Sequence, residues 1–214
     1  MQYFHAGLLR QPEKEAQDGA LAIELFTDGS LNTFAKPTNV DTSSRILCYD
    51  IRDLGKQLQP VGMLVVLDSV FNRIIRNRKL GKSTWVYIDE IYLLFQHEYS
   101  ANFLFPLWMR VRKYGACCTG LTQNVDDLLQ AHTARTMLAN SEFLVMLNQA
   151  STDRAELARL LNISDNQLSY ITNVDFGRGL IKCGSAIVPF MDHFPKNNLY
   201  RLMSTKPSEA DAAV

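Results

Sequence analysis

Long apolar runs are missing. The longest, Val61–Leu67 counting Gly62, falls far short of the ~20 residues that span a bilayer. No charged-then-apolar leader opens the chain, so neither membrane insertion nor secretion is expected. An excess of one charge is missing too. The 22 Lys and Arg balance 22 Asp and Glu, with a pI near 6.9. That excludes a protein coated in nucleic acid over its whole surface and leaves room for a local basic patch, such as Arg73, Arg76, Arg78, Lys79 and Lys82. Cysteine is sparse: Cys48, Cys117, Cys118 and Cys183 form no C-x-x-C, so they read as reduced, buried thiols. His5, His97, His132 and His193 are scattered without ligand spacing. A phosphate-binding loop, G-x-x-x-x-G-K-[ST], is also absent. Gly81-Lys82-Ser83-Thr84 spells its end, but its first glycine would fall on Arg76. The segment also follows a helix and opens a strand, the reverse of what such a loop requires.

What is present is globular: 47% hydrophobic and 21% charged residues. At ~100–200 residues per domain, this length suits one domain or one plus an appendage. Met1–Arg10 reads as a helix. A second starts near Pro12, carries Ala16, Ala20, Ile23, Leu25 and Phe26 on one face, and stops at Asp28-Gly29. Leu31–Phe34 and Arg45–Ile51 read as short strands, with loop chemistry between them at 36–39 and 41–44. Val61–Arg78 has helical spacing. Thr84–Leu94 is the most strand-like segment. Ala101–Tyr114 follows as a helix despite Pro106, then Ala116–Thr122 as a buried strand. Val125–Ala139 is helical with a break near Thr133, and Glu142–Asn148 is another buried strand. Asp153 with Glu156 and Ser164 with Gln167 are capping boxes, Gly179–Phe190 is a hairpin, and the tail from Thr205 is disordered. Buried strands alternating with helices define an α/β protein. Its mostly parallel sheet is expected to hold at least four strands, from 45–51, 84–91, 116–122 and 142–148.

Trp85-Val86-Tyr87-Ile88-Asp89-Glu90 is an apolar strand ending in two acids. Parallel sheets bind ligands beyond their carboxyl ends. There an Asp can hold Mg²⁺ and a following Glu can polarise water, as in the Walker B strand of nucleoside triphosphatases; helix-capping acids at a strand exit are the other reading. Gln123, after the next strand, can sense a phosphate or simply cap a helix. Arg110, Arg112 and Lys113, and separately Arg135, can supply charge to a neighbour's phosphoryl group or can be solvated helix ends.

The runs PTNVDTSSRILCYDIRDLGKQL, GKSTWVYIDEIYLLF, RVRKYGACCTGLTQNVDDLL, SEFLVMLNQASTDRAELARLLNISDNQLSYIT and GRGLIKCGSAIVPFMDHFP resemble one family, from about residue 10 to about 207. It is the conjugative-transfer ATPases of type IV secretion systems on mobile elements of Gram-positive bacteria, within the FtsK–HerA-like group of hexameric motors. The resemblance implies a RecA-like P-loop NTPase core with a three-layer, mostly parallel sheet and a C-terminal β-hairpin. This partial domain would span 1–204, with 1–30 a helical lead-in and 205–214 a disordered tail. The Walker A loop would lie upstream, so the core is expected to be truncated on its N-terminal side. By position, Asp89 is the implied Mg²⁺-linked Walker B acid, Glu90 the catalytic base and Gln123 the γ-phosphate sensor. Arg112, eleven residues before Gln123, is the implied arginine offered to a neighbouring subunit; Arg135, twelve after it, is a second match, and Arg110 and Lys113 share the Arg112 motif. ATP and Mg²⁺ are the implied cofactors. Implied partners are further copies of the chain (a hexamer in the family, a dimer for this stretch), the secretion machinery and DNA. The implied location is the cytoplasm, at the inner face of the membrane. Two functions stay open: a part of the motor inactive by itself, or a non-catalytic module binding motor or secretion subunits.

Overall fold

The structure, a computed structural model, describes residues 2–203 except 38 and 124, with 151–153 as backbone only. The expected tail from Thr205 lies outside the described residues. The first expected capping box is not formed: the helix Ser151–Leu161 starts ahead of Asp153, with Ala150 at its N-cap and no side-chain cap bond. Residues 1–80 and 81–214 form two compact units.

In the first unit, α1 (Gln2–Leu8) packs on α2 (Lys14–Thr27). Their contact is fixed by one buried polar group: His5 Nδ1 lies 3.4 Å from Thr27 Oγ1 and 3.6 Å from Asp28 Oδ2, at the end of α2. The strand expected at Leu31–Phe34 is instead a 3₁₀ turn, Asn32–Ala35. The chain reverses after α2, with the Leu31 N–H donating to the Leu25 C=O, and coils on without a strand partner. The strand expected at Arg45–Ile51 is absent as well. Its neighbourhood is strapped to α3 (Gln59–Lys79) by side chains. Arg73 donates to the carbonyls of Thr42 and Ser44, and the Tyr49 hydroxyl lies 2.9 Å from Ser69 Oγ. These bonds tie the residues just ahead of the run, and one side chain within it, to α3, and among the described residues no strand lies beside the run to pair with it. Arg73 thereby leaves the basic cluster as a structural residue. At the end of this strap Arg52 bonds to the Asp50 carboxylate and holds it down at about 2.

Among the described residues the second unit carries two sheets. β1 (Thr84–Ile88) pairs in parallel with β2 (Ala116–Gly120). β3 (Phe143–Met146) pairs antiparallel with β4 (Arg178–Cys183), which forms the expected hairpin with β5 (Ala186–Met191). The run at 142–148 is therefore a strand, but it does not join the parallel pair. Register and packing explain this. Met146 stands opposite Leu180, and both are buried on the same face. Gly179 leaves room for the Met146 carbonyl, since a Cβ there would stand 2.2 Å from that oxygen. The core on this face gathers Val125 and Leu129 of α5 (Val125–Gln130), Leu157 and Leu161 of α7 (Ser151–Leu161), and Ile171.

Between the strands run α4 (Glu98–Arg110), a 3₁₀ turn at Val111–Tyr114, and α6 (His132–Ala139), which is separated from α5 at Ala131, close to the break expected near Thr133. After α7 comes the short α8 (Asp165–Leu168), opened by the expected Ser164–Gln167 capping box; α9 (Asn198–Met203) follows β5. The cysteines correct the sequence reading. Cys48, Cys117 and Cys183 are exposed, the latter two on an outward sheet face and at the hairpin end. Only Cys118 is sheltered, and burial pushes its thiol up to about 12.

Candidate active site

The parallel register, Ile88 opposite Gly120, brings both strand carboxyl ends to one edge. The ladder goes one step further. The Leu121 N–H donates to the Ile88 C=O at 2.8 Å, and the Ile91 N–H donates to the Leu121 C=O at 2.9 Å. A regular parallel ladder leaves one residue between two such bonds; here Asp89 and Glu90 both lie between them. The extra residue makes a bulge. Glu90 absorbs it with φ 47° and ψ 49°, the left-handed region, at a cost of about 1–3 kcal/mol for a residue other than glycine.

The surroundings hold this strain in place. Ile91 is buried and opens a 3₁₀ turn, Ile91–Phe95, so the strand expected to run to Leu94 ends at Ile88. Gly120 makes the space: a Cβ there would stand 2.6 Å from Ile91 Cδ1. Bulges re-aim side chains, and this one turns Glu90 across to β2. A Glu90 carboxylate oxygen accepts the Gln123 N–H at 3.5 Å, and the Glu90 N–H donates to Asp89 Oδ1 at 3.0 Å. Asp89, Glu90 and Gln123 are thus together. Their supports, Gly120, Leu121 and Ile91, were not singled out in the sequence. A glycine closing one strand beside an isoleucine that follows two acids is the signal that could have found them.

The residues present suit a divalent cation with a phosphate ligand. Asp89 is exposed and offers one carboxylate. Among the described residues no group of three or more His, Cys, Asp or Glu gathers to enclose an ion. Mg²⁺ is commonly held this way, by one or two carboxylates with water and substrate oxygens completing its shell.

The arginines lie elsewhere. Arg110 ends α4, and Arg112 and Lys113 sit in the turn entering β2. All three are exposed, at the opposite end of the parallel pair from Gln123. Five residues of strand put about 16 Å between those ends. Arg135 is engaged inside the chain: its Nε donates to the Leu129 C=O and its Nη2 lies 3.4 Å from Glu156 Oε2. With Leu129, Glu156, Arg159 and Leu160 it lines a recess of about 210 Å³.

Residues 37–178, about two thirds of the chain, match the family model for the TraG P-loop domain. Thirteen chains of solved structures match as well. One, described as the structure of VirB4 of Thermoanaerobacter pseudethanolicus, superposes with a TM-score of 0.75 at 22% identity over 92% of this chain. The chain spans 55% of the length of that relative. No curated protein matches it. The likeness bears out the α/β, RecA-like class expected from the sequence, although the four-strand parallel arrangement is replaced by the parallel pair and the antiparallel sheet. The matched span includes Asp89, Glu90 and Gln123. The chain belongs to the TraG P-loop domain family.

Proposed function

We propose that this chain is the Walker B and phosphate-sensing part of a motor ATPase that energises conjugative DNA transfer through a type IV secretion system. The carrying observation is the bulge, which sets Asp89, Glu90 and the Gln123 amide at one sheet edge. In this reading Asp89 holds Mg²⁺ beside the nucleotide, Glu90 orients the attacking water and accepts its proton, and Gln123 reads the terminal phosphate. Arg112 stands too far from its own edge to serve it, which suits a role on a neighbouring copy in a ring. Arg110 and Lys113 flank it. Arg135, tied to Glu156, packs α6 on α7. Among the described residues no helix is long and apolar enough to cross a membrane; the reading places the assembly in the cytoplasm, against the secretion machinery at the inner membrane face.

These 214 residues contain no phosphate loop, and the edge residues cannot replace its N–H cradle, lysine and Mg²⁺-binding hydroxyl. The chain alone is therefore inactive toward ATP, and residues 1–204 act as a partial domain. The test is ATP turnover of the chain by itself and mixed with a polypeptide bearing the loop. Background rates alone, and turnover in the mixture that Glu90→Gln abolishes, support the reading. Turnover of ~1–10³ s⁻¹ by the chain alone overturns it.

One observation favours the second reading, a non-catalytic module that binds motor or secretion subunits. The outward face of β3–β5 is apolar in two rows, Phe143–Cys183–Ala186 and Val145–Ile181–Val188, and Phe143 and Val145 are 66% and 61% exposed. A patch of this kind marks an interaction surface. No turnover with the loop supplied, together with binding lost on Val145→Lys, selects this reading.

A further inference from the structure

A recess of about 380 Å³ opens between the Ile91–Phe95 turn and α5. Tyr92, Phe95, Gln96, Asp127, Gln130 and Ala131 line it. It adjoins the candidate edge, because Tyr92 comes two residues after Glu90 and α5 starts two residues after Gln123. The lining holds two aromatic rings, two amides and a carboxylate, and no cation. A phosphate or a nucleic-acid backbone would set its own negative charge against the Asp127 carboxylate. A guanidinium suits the lining: its plane lies on an aromatic face while its N–H groups donate to a carboxylate and to amide oxygens. Asp127 Oδ1 already accepts from Gln130 Nε2 at 3.5 Å, but a carboxylate has about four acceptor positions, so further donors fit beside the bonds it makes.

The matching cation is on the same chain, at the wrong end to reach its own recess. α4 packs against the Ile91–Phe95 turn and then runs thirteen residues, about 20 Å, to Arg110. Arg110, Arg112 and Lys113 are exposed there, with Lys82 entering β1 nearby. A head-to-tail contact between two copies joins these complementary ends, and such a contact closes a ring or extends a filament. We propose that Arg110 of one copy seats in the Tyr92–Phe95–Asp127 recess of the next. This inference rests on the reading of Arg112 as acting on a neighbour, and it names the surface that receives the neighbour. With Arg110 anchored, Arg112, two residues on, is delivered to the Asp89–Glu90–Gln123 edge.

The test is self-association of the 214-residue chain by sedimentation velocity in low salt, without nucleotide. The association is expected to weaken as salt rises. Arg110→Glu and Asp127→Arg are each expected to weaken it about tenfold or more, because each sets like charges together. Mixing the two variants brings the two substituted side chains, again opposite in charge, together at one contact and leaves the native Arg110–Asp127 pair at the other. Association therefore returns to near the wild-type strength. The double variant regains it as well. Circular dichroism checks that each variant is folded, and Lys113→Glu serves as the second basic-end variant. A wild type that stays monomeric, single variants that associate as well as wild type, or a mixture as weak as its components overturns the proposal. Since no nucleotide is present, failure of the ATPase reading leaves this result unaffected, and a failed rescue leaves the turnover test standing.

Discussion

The two sheets of residues 81–214 use their strands differently. β3–β5 is held by packing. Met146 and Leu180 meet in register over a core with Leu129, Leu157 and Ile171, and the backbone follows the side chains. β1–β2 buries less on its inward face: Ala116 is buried, while Val86 and Ile88 are only half-buried. Trp85 and Tyr87 point outward, 65% and 67% exposed, and the strand end carries a left-handed glutamate. One sheet has fully buried side chains at its centre. The other keeps strain at the position where charged side chains must converge, and such strain persists only when its surroundings over-determine it. Here those surroundings are two hydrogen bonds to Leu121 and the space above Gly120.

The sharpest way to break this contrast is to remove matched side chains from each sheet. Leu180→Ala deletes a fully buried side chain and is expected to cost about 2–5 kcal/mol. Ile88→Ala, at an inward but only half-buried position of β1, is expected to cost about 1–2 kcal/mol. Urea unfolding measures both, and equal costs would erase the distinction.

Next in size is Gly120→Ala, whose new Cβ meets Ile91 Cδ1. Overpacking there is expected to cost about 1–3 kcal/mol. Ile91→Val removes the atom in conflict, so the double variant should recover part of that loss. A purely additive cycle would show that Gly120 does not make room for Ile91.

Smaller, and opposite in sign, is Glu90→Gly. Relief of the left-handed strain, set against the greater freedom of glycine in the unfolded chain, leaves a gain of about 0.5–1 kcal/mol. A loss of stability on the same unfolding curve would mean that the bulge is not strained.

At neutral pH the smallest effect concerns Cys118, whose burial shows in stability only in alkaline solution. Burial, aided by the neighbouring Cys117, raises its thiol to about 12, from 9.0 for a free thiol. Below pH 9 the proton is held in both folded and unfolded chains. Between 9 and 12 only the unfolded chain releases it, so stability falls as pH rises through that window. A thiol reagent at pH 8 should label exposed Cys117 quickly and Cys118 slowly; equal rates would contradict the burial.

Much of this was legible in the sequence. The helices α2 and α3, the strand cores at 84–88 and 116–120, the Ser164–Gln167 box and the hairpin follow from spacing, caps and turn residues. That Asp89, Glu90 and Gln123 lie together at one edge was expected because parallel strands deliver their ends together. What was not legible depended on long-range partners. Arg45–Ile51 has strand composition, but Arg73 takes the nearby carbonyls from another element. Glu142–Asn148 has the apolar run of a parallel strand, yet the hairpin offered it a closer match through Leu180. The bulge was hidden because glutamate does not announce a left-handed residue as glycine does.

The central claim is that the bulged edge is where a metal-bound phosphate meets this chain. Titration with Mn²⁺–ATP while following backbone amides by NMR tests it most directly, because broadening by the paramagnetic ion falls off steeply with distance. The account predicts early loss of the Glu90, Ile91 and Gln123 signals, with the β3–β5 amides unaffected, and no such loss in Asp89→Asn. Broadening centred away from residues 89–91 and 121–123, or unchanged in Asp89→Asn, would contradict it.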